Sequence, residues 1–127
     1  MYLQGMKYQK LPIIGDNKRK MIRHYLGEEN KNHQIYSIRN CSFEPSIDGT
    51  DYEKTLKEIS NAFFWNKPAI ISSHRINFIG SLHPENQKKN ALKFRNLLKS
   101  IIDKWPEVEF MDTVSLGELI RLKNTKV

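Results

Sequence analysis

Apolar residues recur along the chain with two different periods, and each period predicts an element. Residues 34–43, QIYSIRNCSF, are rich in β-branched and aromatic side chains and stop before Pro45, which predicts a strand. A run at three- and four-residue spacing then predicts a helix with one apolar face: Tyr52, Leu56, Ile59 and Phe63. The short apolar stretch at 69–73, AIISS, is typical of a strand covered on both faces in a parallel sheet.

The second half of the chain repeats this alternation. Pro84 suits the first turn of a longer helix, whose apolar stripe is Ala91, Phe94, Leu97, Leu98, Ile101, Ile102 and Trp105. Residues 108–112, within VEFMDT, predict a third strand. The pattern from Ser115 to Glu118 matches a capping box and predicts that a third helix begins there.

This order of elements predicts an α/β fold with three main strands and three helices. Strand–helix repeats imply parallel strands, right-handed crossovers and helices packed outside the sheet. An open sheet of three strands would leave long unprotected edges, so we expect the last part of a (β/α) barrel. Residues 1–32 are polar and turn-prone, and we expect an irregular, loop-rich segment there before an α/β part over 33–127.

Composition and charge narrow the classes of partner. The 127 residues are 39% apolar, enough for one core, and carry 21 Lys and Arg against 14 Asp and Glu, a net charge of +7. The cations are scattered along the sequence, so we expect no nucleic-acid partner. Because no run approaches the ~20 apolar residues of a membrane span, and the N-terminus lacks a signal-peptide core, we expect no membrane association and a cytoplasmic location. Cys41, the single cysteine, is expected to be a buried thiol.

Candidate chemistry follows from the predicted strand ends. In parallel α/β folds, ligands bind at the carboxyl ends of the strands. The polar residues expected at or near that edge are Arg39, Asn40, Glu44, His74, Arg75, Asn77 and Asp112. We therefore expect one cleft that gathers acids, bases and amides from three strands.

Each of these residues has a structural interpretation beside the functional one. His74 can give or take a proton at neutral pH, but the same position suits a histidine that caps a strand end. Arg39 can hold and orient a carboxylate through two hydrogen bonds, or form a structural ion pair with Glu44. Asn40 and Asn77 can bond substrate hydroxyls, although asparagine in loops usually serves turns.

Three segments resemble a known family. Residues 67–90, KPAIISSHRINFIGSLHPENQKKN, and 104–120, KWPEVEFMDTVSLGELI, together with RHYLGEENKNHQIYSIRNCSFEPS before them, resemble the carboxyl-terminal part of polysaccharide deacetylase-like proteins, a glycoside hydrolase/deacetylase barrel group. The resemblance implies a distorted (β/α) barrel. Active members remove acetyl groups from N-acetylated sugars with a divalent metal held by an Asp and two His, an Asp base, and a late-strand His acid.

Residue by residue, little of that machinery carries over. The resemblance implies that His74 matches the late His, and that Arg39 loosely matches the arginine that orients the catalytic Asp. The family's Asp-Asp and His-x-x-x-His motifs are absent from these 127 residues. We therefore expect no metal ligand here and no turnover by the chain alone. The remaining candidates, expected to contact substrate, are Arg75, Asn77, Asn40, Glu44 and Asp112.

The leading interpretation is thus the carboxyl-terminal portion of a carbohydrate deacetylase. A divalent metal such as zinc, a carbohydrate substrate and the remainder of the barrel are expected for the parent protein. The alternative is a small non-catalytic α/β domain that binds carbohydrate or a protein partner, with His74 structural. An Asp-Asp and a His-x-x-x-His encoded upstream of Met1 would decide for the enzyme.

The first testable prediction concerns metal. Because the sequence contains no carboxylate–histidine group with ligand spacing, the isolated chain should not bind a divalent cation tightly. Calorimetric titration with zinc, nickel or cobalt at neutral pH should show no one-to-one complex with a sub-micromolar Kd. Such a complex would contradict the prediction and point to His24 and His33 as ligands.

Overall fold

The computed structural model describes residues 2–5, 7–13, 15–46, 52–81 and 83–125, which divide into two units. The first unit comprises residues 1–39 and 110–127, and the second comprises residues 40–109. In chain order the elements are β1 Tyr2–Gly5, β2 Tyr8–Ile13, β3 Asp16–Arg23, β4 Ile35–Ile38, β5 Cys41–Ser42, α1 Glu53–Phe64, β6 Ile71–Ser72, a 3₁₀ turn Arg75–Phe78, α2 Pro84–Lys104 and α3 Thr113–Thr125.

The first unit contains two strand pairs and one helix. β1 pairs with β4 in parallel, and β2 pairs with β3 as an antiparallel hairpin. The hairpin turn includes Gly15 at φ +85°, a left-handed conformation that glycine adopts without steric cost. α3 packs against β1 and β4, where Ile35 and Ile38 are buried. At Gly27, also at φ +85°, a Cβ would lie 3.0 Å from Ile120 Cγ2, so a side chain there would press on α3.

The second unit is built around a short parallel pair, β5 and β6, with α1 and α2. Its buried core is Cys41, Phe43, Ile59, Leu97 and Ile101. Helix α1 also holds β5 through polar contacts. Thr55 Oγ1 donates to Ser42 O at 2.7 Å, and Glu58 Oε2 accepts from the Ser42 backbone N–H at 2.7 Å. β5 is thereby anchored to a helix by hydrogen bonds as well as by apolar packing.

Cys41 is buried, as its sequence context predicts. Burial, with a smaller contribution from the charge of Glu58, raises the pKa of its thiol to about 12. Since the thiolate is the reactive form, Cys41 serves the core and not as a nucleophile.

The α/β class and the three predicted helices are confirmed. α1 follows the Tyr52–Phe63 stripe, and α2 begins at Pro84 and ends at Lys104, just before Trp105 and Pro106. Among the described helices, none combines the length and the apolar character that crossing a bilayer requires.

The expected irregular segment over residues 1–32 is wrong, because β1, β2 and β3 all lie within it. Two physical reasons explain the error. The hairpin shows one largely polar, exposed face, so its residues do not stand out as a strand pattern. β1 is completed by a partner about thirty residues away, and local sequence carries no signal of such pairing.

The single strand expected over residues 34–43 is also wrong, because it is interrupted at Arg39 and Asn40. The Asn40 backbone N–H donates to Ile70 O at 3.2 Å, and the Asn40 side chain adds two hydrogen bonds to the same segment. Its Nδ2 donates to Pro68 O at 2.9 Å and its Oδ1 accepts from the Ile70 N–H at 2.7 Å. One strand thus becomes two short ones, β4 and β5, which belong to different units.

No strand is present at residues 108–112, which have no regular secondary structure. The expected parallel sheet of three main strands is therefore wrong, and the described strands form three two-stranded sheets. Residues 41–42 and 71–72, within two of the predicted strands, do pair in parallel. The barrel stays a prediction.

The core of the second unit gives a stability prediction. Leu97, on α2, is 0% exposed, whereas Leu92 on the same helix is 58% exposed. Leu97→Ala should lower the free energy of unfolding by about 2–5 kcal/mol, because it leaves a cavity in a packed core. Leu92→Ala, which makes the same chemical change, should cost less than about 1 kcal/mol. Urea titrations of both variants test this, and equal losses would contradict the assigned core.

Candidate functional site

Glu44 and His74 meet because the two strands before them are parallel. Glu44 follows β5, His74 follows β6, and the carboxyl ends of parallel strands lie at one edge. The Glu44 Oε1 atom lies 2.7 Å from His74 Nδ1 and accepts a second hydrogen bond from the His74 backbone N–H at 3.1 Å. The structure thus brings these two predicted site residues into direct contact.

The contact between them fixes the chemistry of the imidazole. A carboxylate accepts a proton donated from Nδ1, so the hydrogen bond favours the tautomer that is protonated there. Nε2 then carries the lone pair. The His74 side chain is 71% exposed, while that of Glu44 is 13% exposed. The ring therefore presents its Nε2 edge outward, supported from behind by an almost buried carboxylate.

Asn77, in the 3₁₀ turn, links Glu44 and His74 to each other and to Ser46 through hydrogen bonds of its side chain. Its side chain is 0% exposed, and every polar atom of the amide has a partner. Nδ2 donates to Glu44 Oε2 at 2.6 Å and to His74 O at 3.0 Å, and Oδ1 accepts from the Ser46 N–H at 3.2 Å. Both oxygens of Glu44 are thereby engaged, and the loops after β5 and β6 are tied together.

Asn90, on α2, adds hydrogen bonds to Asn77 and Ser46. It is buried, and its Nδ2 donates to Asn77 O at 2.8 Å and to Ser46 Oγ at 2.7 Å. We call Glu44, Ser46, His74, Asn77 and Asn90 the Glu44–His74 network. Buried polar groups that are fully satisfied in this way rigidify their surroundings, because any rearrangement leaves a group unpaired.

Glu44 is the charged centre of the network. Burial alone would raise the pKa of its carboxyl. Hydrogen bonds from the Asn77 amide and from the His74 ring and backbone, together with the positive charge of a protonated His74, outweigh burial and lower the pKa below its ordinary value of 4.5. Glu44 is therefore an anion at neutral pH.

The other predicted residues have different surroundings. Arg75 is exposed at the start of the 3₁₀ turn, next to His74. Asn40 uses its amide to bridge Pro68 and Ile70, which is a structural role. Arg39 is exposed and, like Asp112, belongs to the first unit, whereas the Glu44–His74 network lies wholly in the second. A joint role for Arg39, Asp112 and His74 stays a prediction.

Asp112 caps α3. Its Oδ1 accepts from the Ser115 N–H at 2.8 Å and its backbone oxygen accepts from the Leu116 N–H at 3.1 Å. Hydrogen bonds from Ser115 lower the pKa of the Asp112 carboxyl. The helix therefore begins at Thr113, and the predicted capping box that starts at Ser115 is wrong.

Ser46 and Asn90 belong to the network but are not among the residues predicted from the sequence. Asn90 did leave a signal: it lies seven residues before Leu97 and so on the same helix face, where a polar side chain among apolar ones needs a partner. Ser46 follows a proline in a loop and leaves no comparable signal.

Metal ligation finds no support in the described side chains, none of which form a group of three or more His, Cys, Asp or Glu close enough to hold an ion. His24 instead lies 3.0 Å from both Glu28 Oε2 and Gln9 Oε1 and stacks on Tyr36 at 4.1 Å. The expectation about metal stays a prediction.

No family profile matches the chain. No curated protein and no solved structure matches it either. The resemblance to polysaccharide deacetylase-like proteins thus rests on the three sequence segments alone and stays a prediction.

The lowered pKa of Glu44 predicts how stability depends on pH. A carboxyl whose pKa is lower in the folded state stabilises the fold above its unfolded pKa, and this contribution is lost as pH falls through the folded pKa. Glu44→Gln cannot ionise. The melting temperature of the natural chain should therefore fall more steeply below about pH 4.5 than that of Glu44→Gln.

Glu85→Gln is the matched control, since Glu85 is exposed on α2 and lies 3.5 Å from an equally exposed Lys88. Its melting profile should follow that of the natural chain. Parallel profiles for the natural chain and Glu44→Gln would contradict the assigned role of Glu44.

Proposed function

We propose that Glu44 and His74 form the proton-transfer site of a hydrolase that acts on acetylated sugars, this chain being a carboxyl-terminal portion of a deacetylase-like barrel. One observation carries the proposal: Glu44 Oε1 lies 2.7 Å from Nδ1, and the ring is exposed on its other side. A carboxylate behind a histidine, with Nε2 accessible, is an arrangement suited to general acid–base catalysis.

The chemistry needs such a group at one step. When the tetrahedral intermediate of amide hydrolysis collapses, the departing amine has to be protonated, because an amide anion is too basic to leave. A protonated Nε2 of His74 would supply that proton. Glu44 would stabilise the imidazolium and hold the ring in place, as the carboxylate of a serine-protease triad does. The family's Asp-Asp and His-x-x-x-His motifs, which include its metal ligands, are absent from these 127 residues.

The residues after His74 suit the rest of a substrate. Arg75 is exposed at the next position and offers donors to sugar hydroxyls or to a carboxylate. Ile76 is also exposed, and it offers an apolar surface to the methyl of an acetyl group. Asn77 points inward and acts through Glu44, so in this proposal it is a positioning residue and does not contact substrate.

A second candidate function is a non-catalytic domain that binds carbohydrate or a protein. The observation that favours it is a pair of exposed aromatic rings at the end of α1, Phe64 and Trp65, whose centroids lie 5.2 Å apart. Exposed aromatic faces of this kind are common in binding surfaces. In this alternative, His74 would be a strand-end cap.

The test is the complete protein with His74→Ala. Loss of the proton donor should lower kcat on an acetylated amino sugar by ~10²–10⁴, with the metal content unchanged. His74→Asn, which keeps a hydrogen-bonding amide but cannot donate the proton, should be almost as damaging. Glu44→Gln should lower kcat by about 10–100-fold, by analogy with carboxylates that orient metal-bound histidines.

His83→Ala is the matched control, because His83 is also exposed and its ring makes no capping hydrogen bond to α2. It should keep full turnover. If His74→Ala also keeps full turnover, His74 is not the proton donor and the second candidate is favoured. An unchanged kcat with a raised KM would instead assign His74 to substrate binding.

A further inference from the structure

The β2–β3 hairpin collects cations that are dispersed in the sequence. In an antiparallel pair, residues opposite each other lie on the same face. Tyr8 is opposite Arg23, Lys10 is opposite Met21, and Arg19 lies two positions further along the same face. All five are exposed. We call Tyr8, Lys10, Arg19, Met21 and Arg23 the basic face.

The other face of the hairpin is partly packed, although Lys20 on it is exposed. Leu11 and Ile22, which alternate with the residues of the basic face, are half-buried. Gln9, on the same side, is hydrogen-bonded to the buried His24. The partly buried apolar side chains thus lie on one face of the hairpin, and the five exposed residues of the basic face lie on the other.

The charges on the basic face are regularly spaced. Arg23, Lys10 and Arg19 occupy successive same-face positions on alternating strands, so neighbours are roughly 7 Å apart along the hairpin. No ion pair involves these three among the described side chains, and the face contains no acidic residue. Between residues 7 and 23 there are six lysines and arginines and one aspartate. Such a row of like charges is complementary to an extended polyanion.

We propose that the basic face binds an acidic polysaccharide, a sugar polymer that bears carboxylates. Arginine forks match carboxylates through two parallel hydrogen bonds, and two of the three cations are arginines. Single-stranded nucleic acid would need several rings on which successive bases stack, and Tyr8 is the one aromatic residue of the basic face. The choice of a sugar polymer rests on the proposed function, whereas the complementarity to a polyanion does not.

The test measures binding of the full 127-residue chain to polygalacturonate, whose sugar units each carry a carboxylate. Titration at low salt should show binding that weakens as sodium chloride is added, and neutral dextran should not bind. The triple variant Lys10→Gln, Arg19→Gln, Arg23→Gln should bind about tenfold or more weakly, because it removes three charge-assisted contacts.

A charge-matched control separates arrangement from net charge. Lys57, Lys89 and Lys99 are exposed on α1 and α2, and changing all three to Gln removes the same total charge. This control should bind within about threefold of the natural chain. A double variant, Arg19→Lys with Arg23→Lys, keeps every charge but loses the paired hydrogen bonds, and it should fall between the two.

Three outcomes would overturn the proposal. No binding to polygalacturonate would do so, and so would an equal loss in the triple variant and the charge-matched control, which would reduce the effect to net charge. Tighter binding of an oligothymidylate through the same three residues would make the face a nucleic-acid surface.

Two further measurements keep these outcomes distinct. Circular dichroism establishes that each variant is folded. If the triple glutamine variant is unfolded, the test rests on the double variant Arg19→Lys with Arg23→Lys. Binding by that double variant equal to that of the natural chain would contradict a role for the paired hydrogen bonds of the arginines. The binding titration involves no hydrolysis, so failure of the hydrolase proposal does not alter this result.

Discussion

In the second unit, the arrangement of the loops after β5 and β6 depends on hydrogen bonds to one buried side-chain amide, that of Asn77. Asn77 has no exposed surface, and leaving either end of its amide unpaired would cost about 1–3 kcal/mol. Its partners are Glu44 and Ser46 after β5, and the His74 carbonyl after β6. Because two-residue strands fix little by themselves, this amide and the Asn90 amide beneath it hold the two strand ends together. A change that moved either loop would break several hydrogen bonds at once.

That constraint also divides the site into a fixed side and an accessible side. The fixed side is a nearly buried carboxylate with both oxygens engaged, and a buried charge needs such donors to remain ionised. The accessible side is an imidazole edge that nothing in the network uses. Precise sites are usually built by locking the supporting residues while leaving the reacting atom free. At His74 the supporting carboxylate is held by the fold, and the opposite edge of the ring is exposed.

What the sequence could predict depends on how local the cause is. α1 and α2 were predictable because apolar side chains three and four positions apart mark one face of each helix, whereas α3 was predicted from a capping box and begins two residues earlier, at Thr113. The meeting of Glu44 and His74 required one further assumption, that their strands are parallel, and this held. The break at Asn40 and the pairing of β1 with β4 depend on contacts about thirty residues away. Residues 108–112 have a strand-like composition, yet Asp112 satisfies the start of α3.

The same distinction between local and distant causes applies to charge. Lys10 and Arg19 are nine positions apart in the sequence, so a scan for clustered cations passes over them, yet the hairpin register makes them neighbours on one face. If both proposals hold, they place a joint demand on the substrate. Binding energy from parts of a polymer that do not react can be used to position the part that does. A sugar polymer that carries carboxylates as well as acetyl groups has the chemistry that each proposal calls for separately, anions for the basic face of the first unit and an acetylated amine for His74 of the second. Neither feature alone would select such a polymer, because cations accept any polyanion and a general acid protonates any suitable amine.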